Sequence, residues 1–392
     1  MTNTYVAGVS MVKFTKPGKQ KPYREMASSA IKQAVEEAGI KNPALIEQAY
    51  GAYVYGDSTC AQHAFYDAFM TGVPLINVNN NCSSGSSALF LARQAVQSGA
   101  VECALAFGFE EMQPGALGSA WDDRESPFEE FLKVLDEKQY PDGPLALRCF
   151  GAAGHYYMEK YGATPDLFAK VAVKSRNHAA ANPLSLFSAE LTVEEVLNAP
   201  VLYMDYLTRL MCCPPTCGAG AAIICSEAFA KKHNIKGAIE IVGQSMTTDT
   251  LSTWNNPINL VGADMTRRAV NDVCEQAGIG VEDVDVVELH DCFTTNEVIT
   301  YEGLGLCAEG GATEFVENKD NTYGGKFVVN PSGGLMSKGH PLGATGLAQC
   351  YELVNQLRGN AGQRQVQSAQ VALQHNLGLG GAAVVTMYRS AS

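Results

Sequence analysis

The sequence predicts a layered α/β fold built from two similar halves, and three internal echoes carry that prediction. Residues 30–40 read AIKQAVEEAGI and residues 269–279 read AVNDVCEQAGI: apolar positions at helical spacing, an acidic residue, then Ala-Gly-Ile closing the helix. Cys82-Ser-Ser-Gly85 opens one helix and His340-Pro-Leu-Gly343 opens another. The run GAGAAIICSEAF at 218–229 is echoed by LGGAAVVTMYR at 379–389. One Ala-rich helix resembles another by chance, but three matches in the same order point to duplication. The halves are read as 1–230 and 231–392, each alternating strands and helices as layered α/β units do.

The elements follow in order. MTNTYVAGVSMVKF reads as a first strand, 30–40 as the helix after it, and PLINVN as a strand that ends just before Cys82. LFLARQAV then continues the helix that Cys82 introduces. The first half is the longer one, and its excess lies between about residues 111 and 215, in less regular pieces such as SAWDDRESPFEEF and GHYYMEKYGATPD. That segment is read as an inserted loop domain, a lid or ligand-binding surface, with a purely structural insertion as the alternative.

Composition narrows the function classes. A formal charge of -13 argues against nonspecific binding to nucleic acid or anionic membrane, so any anionic ligand must meet a local basic cluster. No apolar run approaches the roughly 18 residues of a membrane span, and the start does not read as a signal sequence, so an intracellular chain is expected. Twelve irregularly spaced cysteines do not form a secreted disulfide framework, and reduced thiols are expected. MCCPPTCG, with Cys212, Cys213 and Cys217, has no second ligand pair at zinc-knuckle spacing and is read as packing around a Pro-Pro turn.

Four loops carry chemistry. Cys82 stands where a strand gives way to a helix, and the helix dipole there is expected to favour its thiolate. VVELHDCFTTNE, 286–297, sets His290, Asp291 and Cys292 at the end of an apolar strand, where ligand sites of α/β sheets lie. NPSGGLMSKGHPLGATG, 330–346, holds five glycines and a His-Pro pair, which suits close approach to a ligand. It is not a phosphate loop, because no Ser or Thr follows Lys338. LQHNLGLGGAA, 373–383, ends a strand with His375 and a glycine-rich bend whose N–H groups suit an oxyanion, or a tight turn.

At these loops the chain resembles the thiolases, most closely the thiolase domain of the sterol carrier protein type, through NNNCSSGSSAL, HDCF and NPSGGLMSKGHPLGATGLAQ. The resemblance implies a five-layered α/β/α/β/α fold of two similar halves with a loop domain in the first. It implies Cys82 as the nucleophile that takes the acyl group of a 3-oxoacyl-CoA, releasing acetyl-CoA before coenzyme A collects the acyl group. His340 and His290 would stabilise the enolate. Cys292 would shuttle protons in place of the Cys-x-Gly cysteine of most thiolases, where the sequence puts His375 as the rival acid/base group. The backbone N–H groups of Cys82 and a residue near Gly378 would form a second oxyanion hole. Lys174, Arg176 and Lys338 are the candidates for the coenzyme A phosphates, and coenzyme A enters as co-substrate with neither bound cofactor nor metal.

The same resemblance implies a homodimer and, for many members, a C-terminal sterol carrier domain expected to be missing from a chain ending YRSAS. A peroxisomal location is implied by the family alone, since YRSAS is not a Ser-Lys-Leu address. A retro-aldol lyase on the same scaffold, a biosynthetic condensing enzyme and a noncatalytic lipid binder are the alternative readings. The lyases of this type tend to lack the nucleophilic cysteine and the Gly-His-Pro histidine, and both are present here.

Overall fold

The computed structural model describes residues 2–113, 121 and 123–390; parts of the SAWDDRESPFEEF stretch and of YRSAS lie outside the described residues. The first half supplies strands β1 (Thr4–Met11), β2 (Gln48–Ala52), β3 (Leu75–Val78) and β4 (Cys103–Glu110). A small hairpin, β5 (Val201–Tyr203) with β6 (Leu207–Thr208), precedes β7 (Gly218–Ser226). The second half supplies β8 (Ile239–Thr247), β9 (Val286–Glu288), β10 (Val328–Val329), β11 (Val371–Gly378) and β12 (Ala382–Arg389). Read outward from the middle of the sheet, the order is β1-β7-β4-β2-β3 on one side and β8-β12-β11-β9-β10 on the other. On both sides the first two pairings are antiparallel and the next two parallel. The two sets meet through a short antiparallel contact, Tyr5 opposite Glu240 and Val6 opposite Ile239.

The helices are α1 (Tyr23–Glu37), α2 (Cys60–Tyr66), α3 (Ser84–Gln97), α4 (Glu129–Glu137), α5 (Leu145–Tyr161), α6 (Pro165–Ala180), α7 (Val193–Leu197) and α8 (Glu227–Lys232) in the first half. They continue as α9 (Pro257–Leu260), α10 (Ala263–Ala277), α11 (Thr294–Gly303), α12 (Ala312–Glu317), α13 (Gly334–Ser337) and α14 (Thr345–Leu357). Helices α3 and α14 lie between the two sets of strands, with Leu89, Ala92, Leu347 and Leu353 packed on Ile224 of one and Ala372 of the other. Helix α1 covers the outside of the first set through Ala30, Ile31 and Ala34, and α10 covers the second through Met265, Ala269 and Val273. The result is the five-layered α/β/α/β/α arrangement.

The echoed helices are α1 and α10, and each passes so close to its strand that only glycine fits beneath it. A Cβ on Gly8 would collide with Ala34 and Ala38, and one on Gly243 would meet the Val273 carbonyl at 2.6 Å. Each helix also runs into a left-handed glycine, Gly39 (φ 69°) and Gly278 (φ 63°), which frees the Ala-Gly-Ile turn to reverse.

The inserted segment is more regular than its composition suggests. It holds α4 to α7 and the β5–β6 hairpin, because small and apolar residues such as Cys149, Phe150, Ala152, Ala153 and Tyr157 recur on one buried face of α5. That face packs on the second half, where Phe150 stacks on Phe293 with ring centres 4.8 Å apart.

Candidate active site

Cys82 sits in the turn between β3 and α3, held by small hydroxyls. Ser83 Oγ donates to the Asn80 carbonyl at 2.8 Å and Ser84 Oγ to the Asn81 carbonyl at 2.6 Å, while Asn81 adopts a left-handed φ of 51°. Among the described residues the thiol's own hydrogen bond is one long contact with Asn81 Oδ1 at 3.5 Å. Gly85 faces the turn before α14, where a Cβ would meet the Gly343 carbonyl at 2.7 Å. The two echoed helix starts therefore pack against each other, and each delivers a reactive group to one place.

His340 is the group from the second half. Its backbone N–H donates to Thr216 Oγ1 at 3.1 Å, and its Nδ1 lies 2.7 Å from Thr345 Oγ1. The Thr345 hydroxyl already donates to the Pro341 carbonyl at 3.0 Å, so this pattern assigns the imidazole proton to Nδ1. Nε2 is buried and has no hydrogen-bond partner among the described residues. His290 lies edge-on to it, ring centres 5.0 Å apart. Asn376 Nδ2 donates to His290 Nδ1 at 2.9 Å, which leaves the proton on His290 Nε2. Cys82 Sγ and one nitrogen of each imidazole lie within 4.8 Å of one another.

The trio is neutral at pH 7. Burial pushes the Cys82 thiol up to about 12, and the nearby Glu110 carboxylate adds to the shift. Burial holds His340 down at about 3 and lowers His290 as well, with smaller contributions from His340 and His375. The expectation that the helix start lowers the Cys82 pKa is corrected here: α3 begins two residues later, at Ser84, and desolvation outweighs its dipole. Two imidazoles and a thiol at this spacing are also the one group of three among the described residues that a metal ion could share.

Cys292 is buried next to this trio. Its carbonyl accepts from Cys213 N at 2.9 Å, and burial, then the charges of Cys213, Cys82 and Asp291, push its thiol well up. The sequence reading of MCCPPTCG as packing around a turn missed this proximity. The segment crosses the site: Cys212 bridges Phe293, and Pro215 bridges His340. Asp291 faces the other way, accepting from Leu335 N at 2.7 Å and so fixing the start of α13.

The remaining sequence candidates divide. Gly378 lies against the Cys82 turn, where a Cβ would collide with the Asn80 carbonyl and meet Ser83 N at 3.2 Å. His375 is not brought to the thiol; its Nε2 lies 2.9 Å from Thr266 Oγ1 of α10. Strand alternation explains this, since Gln374 and Asn376 share the face toward α3 and α14 and His375 takes the other. Gln374 Nε2 accordingly donates to Ser86 Oγ at 2.9 Å and to the Gly346 carbonyl at 2.7 Å. That alternation was the signal available in LQHNLG for Asn376.

Two of the three cations proposed for coenzyme A are committed inside the protein. Lys174 is buried in an ion pair with Glu297, and Lys338 is buried against Glu288 at 3.3 Å. Neither ammonium is available to a solvent-borne phosphate. Arg176 is half-buried, bonded to Ser337 Oγ at 3.3 Å and lying over the Phe187 ring, whose centre Lys16 Nζ also approaches at 5.0 Å.

With this geometry in view, the comparisons with known proteins are decisive. The thiolase N-terminal domain model matches residues 4–196, and the thiolase C-terminal domain-like model matches 243–388. The chain belongs to the thiolase family. Sterol carrier protein 2 of Rattus norvegicus is 52% identical over 396 residues, covering 99% of this chain and 72% of the rat protein. Among solved structures, the Ltp2-ChsH2(DUF35) aldolase superposes with a TM-score of 0.84 at 21% identity, covering 99% of this chain and 98% of that one. Human mitochondrial 3-ketoacyl-CoA thiolase in complex with CoA superposes with a TM-score of 0.74 at 19% identity, covering 100% of this chain and 98% of that one. At those identities the structures show the fold alone. Thiolases are acyltransferases that use coenzyme A as substrate, and family membership supports acyl-CoA chemistry of thiolase type for this chain. Among the described residues no helix is long and apolar enough to cross a membrane.

Proposed function

We propose that the chain cleaves 3-oxoacyl-CoA thiolytically, giving acetyl-CoA and a shortened acyl-CoA, or propionyl-CoA from 2-methyl substrates, in fatty acid or sterol side-chain oxidation. The bare Nε2 of His340 beside the Cys82 thiol is the observation that carries this reading. Nε2 takes the thiol proton as sulfur attacks the C3 carbonyl, and the backbone N–H groups of Cys82 and Gly378 receive the oxyanion. The C2–C3 bond then breaks. Protonated Nε2 of His340 and Nε2–H of His290 both donate to the enolate oxygen, and the Cys292 thiol protonates C2. Coenzyme A gives its thiol proton to the Cys292 thiolate and attacks the acyl group, and Cys82 recovers its proton from His340. Neutral resting groups suit this sequence, since charge develops only where donors wait for it.

The fold's likeness to an aldolase keeps the retro-aldol lyase as the second reading. Purified protein given a 3-oxoacyl-CoA and coenzyme A should form acetyl-CoA, followed by mass spectrometry. Cys82→Ser should lose at least about a thousandfold in rate, and Cys292→Ser should trap acyl label on Cys82. No acetyl-CoA from any chain length would favour the lyase or a lipid binder. Coenzyme A's phosphates are proposed to meet Arg176 beside Phe187. The homodimer is proposed at the edge strand β3, which leaves Ile76 exposed, with Tyr66 and Met70 exposed in the segment that precedes it. The peroxisomal location is proposed on the family resemblance.

A further inference from the structure

Glu110 is a buried carboxylate that the reaction above does not use. It ends β4, and among the described residues it accepts from three backbone N–H groups of two separate loops. Tyr55 N donates to Oε1 at 2.9 Å, while Val54 N and Gly343 N donate to Oε2 at 3.2 and 3.0 Å. Gly343 closes the His340-Pro-Leu-Gly turn and is wedged between strand ends: a Cβ there would collide with the Phe109 carbonyl and meet the Ala52 carbonyl at 2.6 Å. Glycine is also required at Gly108, whose Cβ would strike the Gly343 carbonyl. The turn that carries His340 is thus plugged into the first half, and Glu110 is the charged group that hooks it there.

No Lys, Arg or His forms an ion pair with Glu110 among the described residues. The titratable groups facing it are Tyr55 from the loop after β2, Cys82 from the turn before α3 and Cys217 just before β7, and its charge adds to the upward shift of all three. Its neighbour Glu111 turns away, accepting from Tyr23 N at 2.8 Å.

We propose that Glu110 is a positioning residue that holds the His340 turn against Cys82, and that its carboxylate also repels a thiolate at Cys82. Burial against those hydrogen bonds raises its own pKa to about 7, so the hook changes charge within the physiological range. Below that value the carboxyl loses acceptor strength toward Gly343 N, the His340 turn loosens, and the repulsion on the Cys82 thiolate is relieved. In turnover the two effects oppose each other, whereas in two other measurements they separate.

Hydrogen exchange of the unmodified protein reads the turn. After correction for intrinsic rates, protection of residues 340–346 should fall several-fold from pH 8 to pH 6, and unchanged protection would overturn the proposal. Glu110→Gln reads the charge. At pH 8 Cys82 should be alkylated several-fold faster by iodoacetamide, while the cysteines other than Cys82 and Cys217, the two thiols its charge reaches, keep their rates and near-ultraviolet circular dichroism is unchanged. Faster alkylation of all cysteines, or of none, would overturn it. Turnover by Glu110→Gln should fall about tenfold in kcat with little change in KM and lose its inflection near pH 7. Only this arm rests on the thiolytic reading, so a chain that fails to make acetyl-CoA still leaves the exchange and alkylation tests standing.

Discussion

The first half and the second half support their catalytic groups in different ways. Cys82 reaches into the site with a single long contact to Asn81. His340 and His290 are each held on the far side of the ring, by Thr345 and by Asn376. The loops behind them are fastened by buried carboxylates, Glu288 to Ser332 and Lys338, and Asp291 to Leu335. On the proposed thiolytic reading, a nucleophile that must swing to a carbonyl, carry an acyl group and return is served by a thin restraint. Groups that must place a proton within a few tenths of an ångström need their orientation fixed beforehand.

The sharpest test of that contrast is Lys338→Met, which leaves Glu288 buried and uncompensated. It should lower unfolding stability by about 3–5 kcal/mol in denaturant titration, while the folded fraction keeps its KM for coenzyme A. A raised KM with unchanged stability would return Lys338 to the surface role read from the sequence.

His375→Gln probes the face of β11 turned away from the thiol. Burial holds His375 down at about 3, against about 6.5 unfolded. As pH falls through 6.5 the unfolded chain binds a proton that the native site refuses, so the parent loses stability relative to the variant. The gap should close by about 2 kcal/mol between pH 7 and pH 5, read from paired denaturant curves, with activity at pH 8 retained.

Asn376→Ala, one residue along, should do the reverse: about a tenfold loss of kcat, about 1.4 kcal/mol, with little effect on stability. Equal losses from His375→Gln and Asn376→Ala would erase the distinction between the two faces. The smallest effect is expected at the thiol itself. Asn81→Gly, which keeps the left-handed φ of 51° without strain, should change kcat less than about threefold, since a long contact to sulfur contributes little.

The sequence made the architecture legible because duplication writes its evidence twice. AIKQAVEEAGI and AVNDVCEQAGI became α1 and α10, and the two helix starts became the facing turns around Gly85 and Gly343. Cys82, His290, Cys292 and His340 were recognisable from motifs whose loops converge as layered α/β folds require. Other features depend on direction, which a string of letters encodes only faintly. Lys174 and Lys338 look like any surface lysine until their partners Glu297 and Glu288, 123 and 50 residues away, are seen to be buried with them. The thiol's protonation state was misread because burial is a property of the assembled layers, whereas the helix start is local. Glu110 gave no signal, because its partners are backbone N–H groups that any sequence possesses.

The placement of Cys82 in one half and His340 in the other has a consequence for the chain's birth. A ribosome adding about 5–20 residues per second makes the 258 residues that separate them in roughly a quarter to most of a minute. Throughout that interval the emerging first half displays a sulfhydryl with no base to activate it. On the thiolytic reading, a nascent chain therefore carries Cys82 as an ordinary solvated thiol, and the reaction becomes possible only as the last layers close.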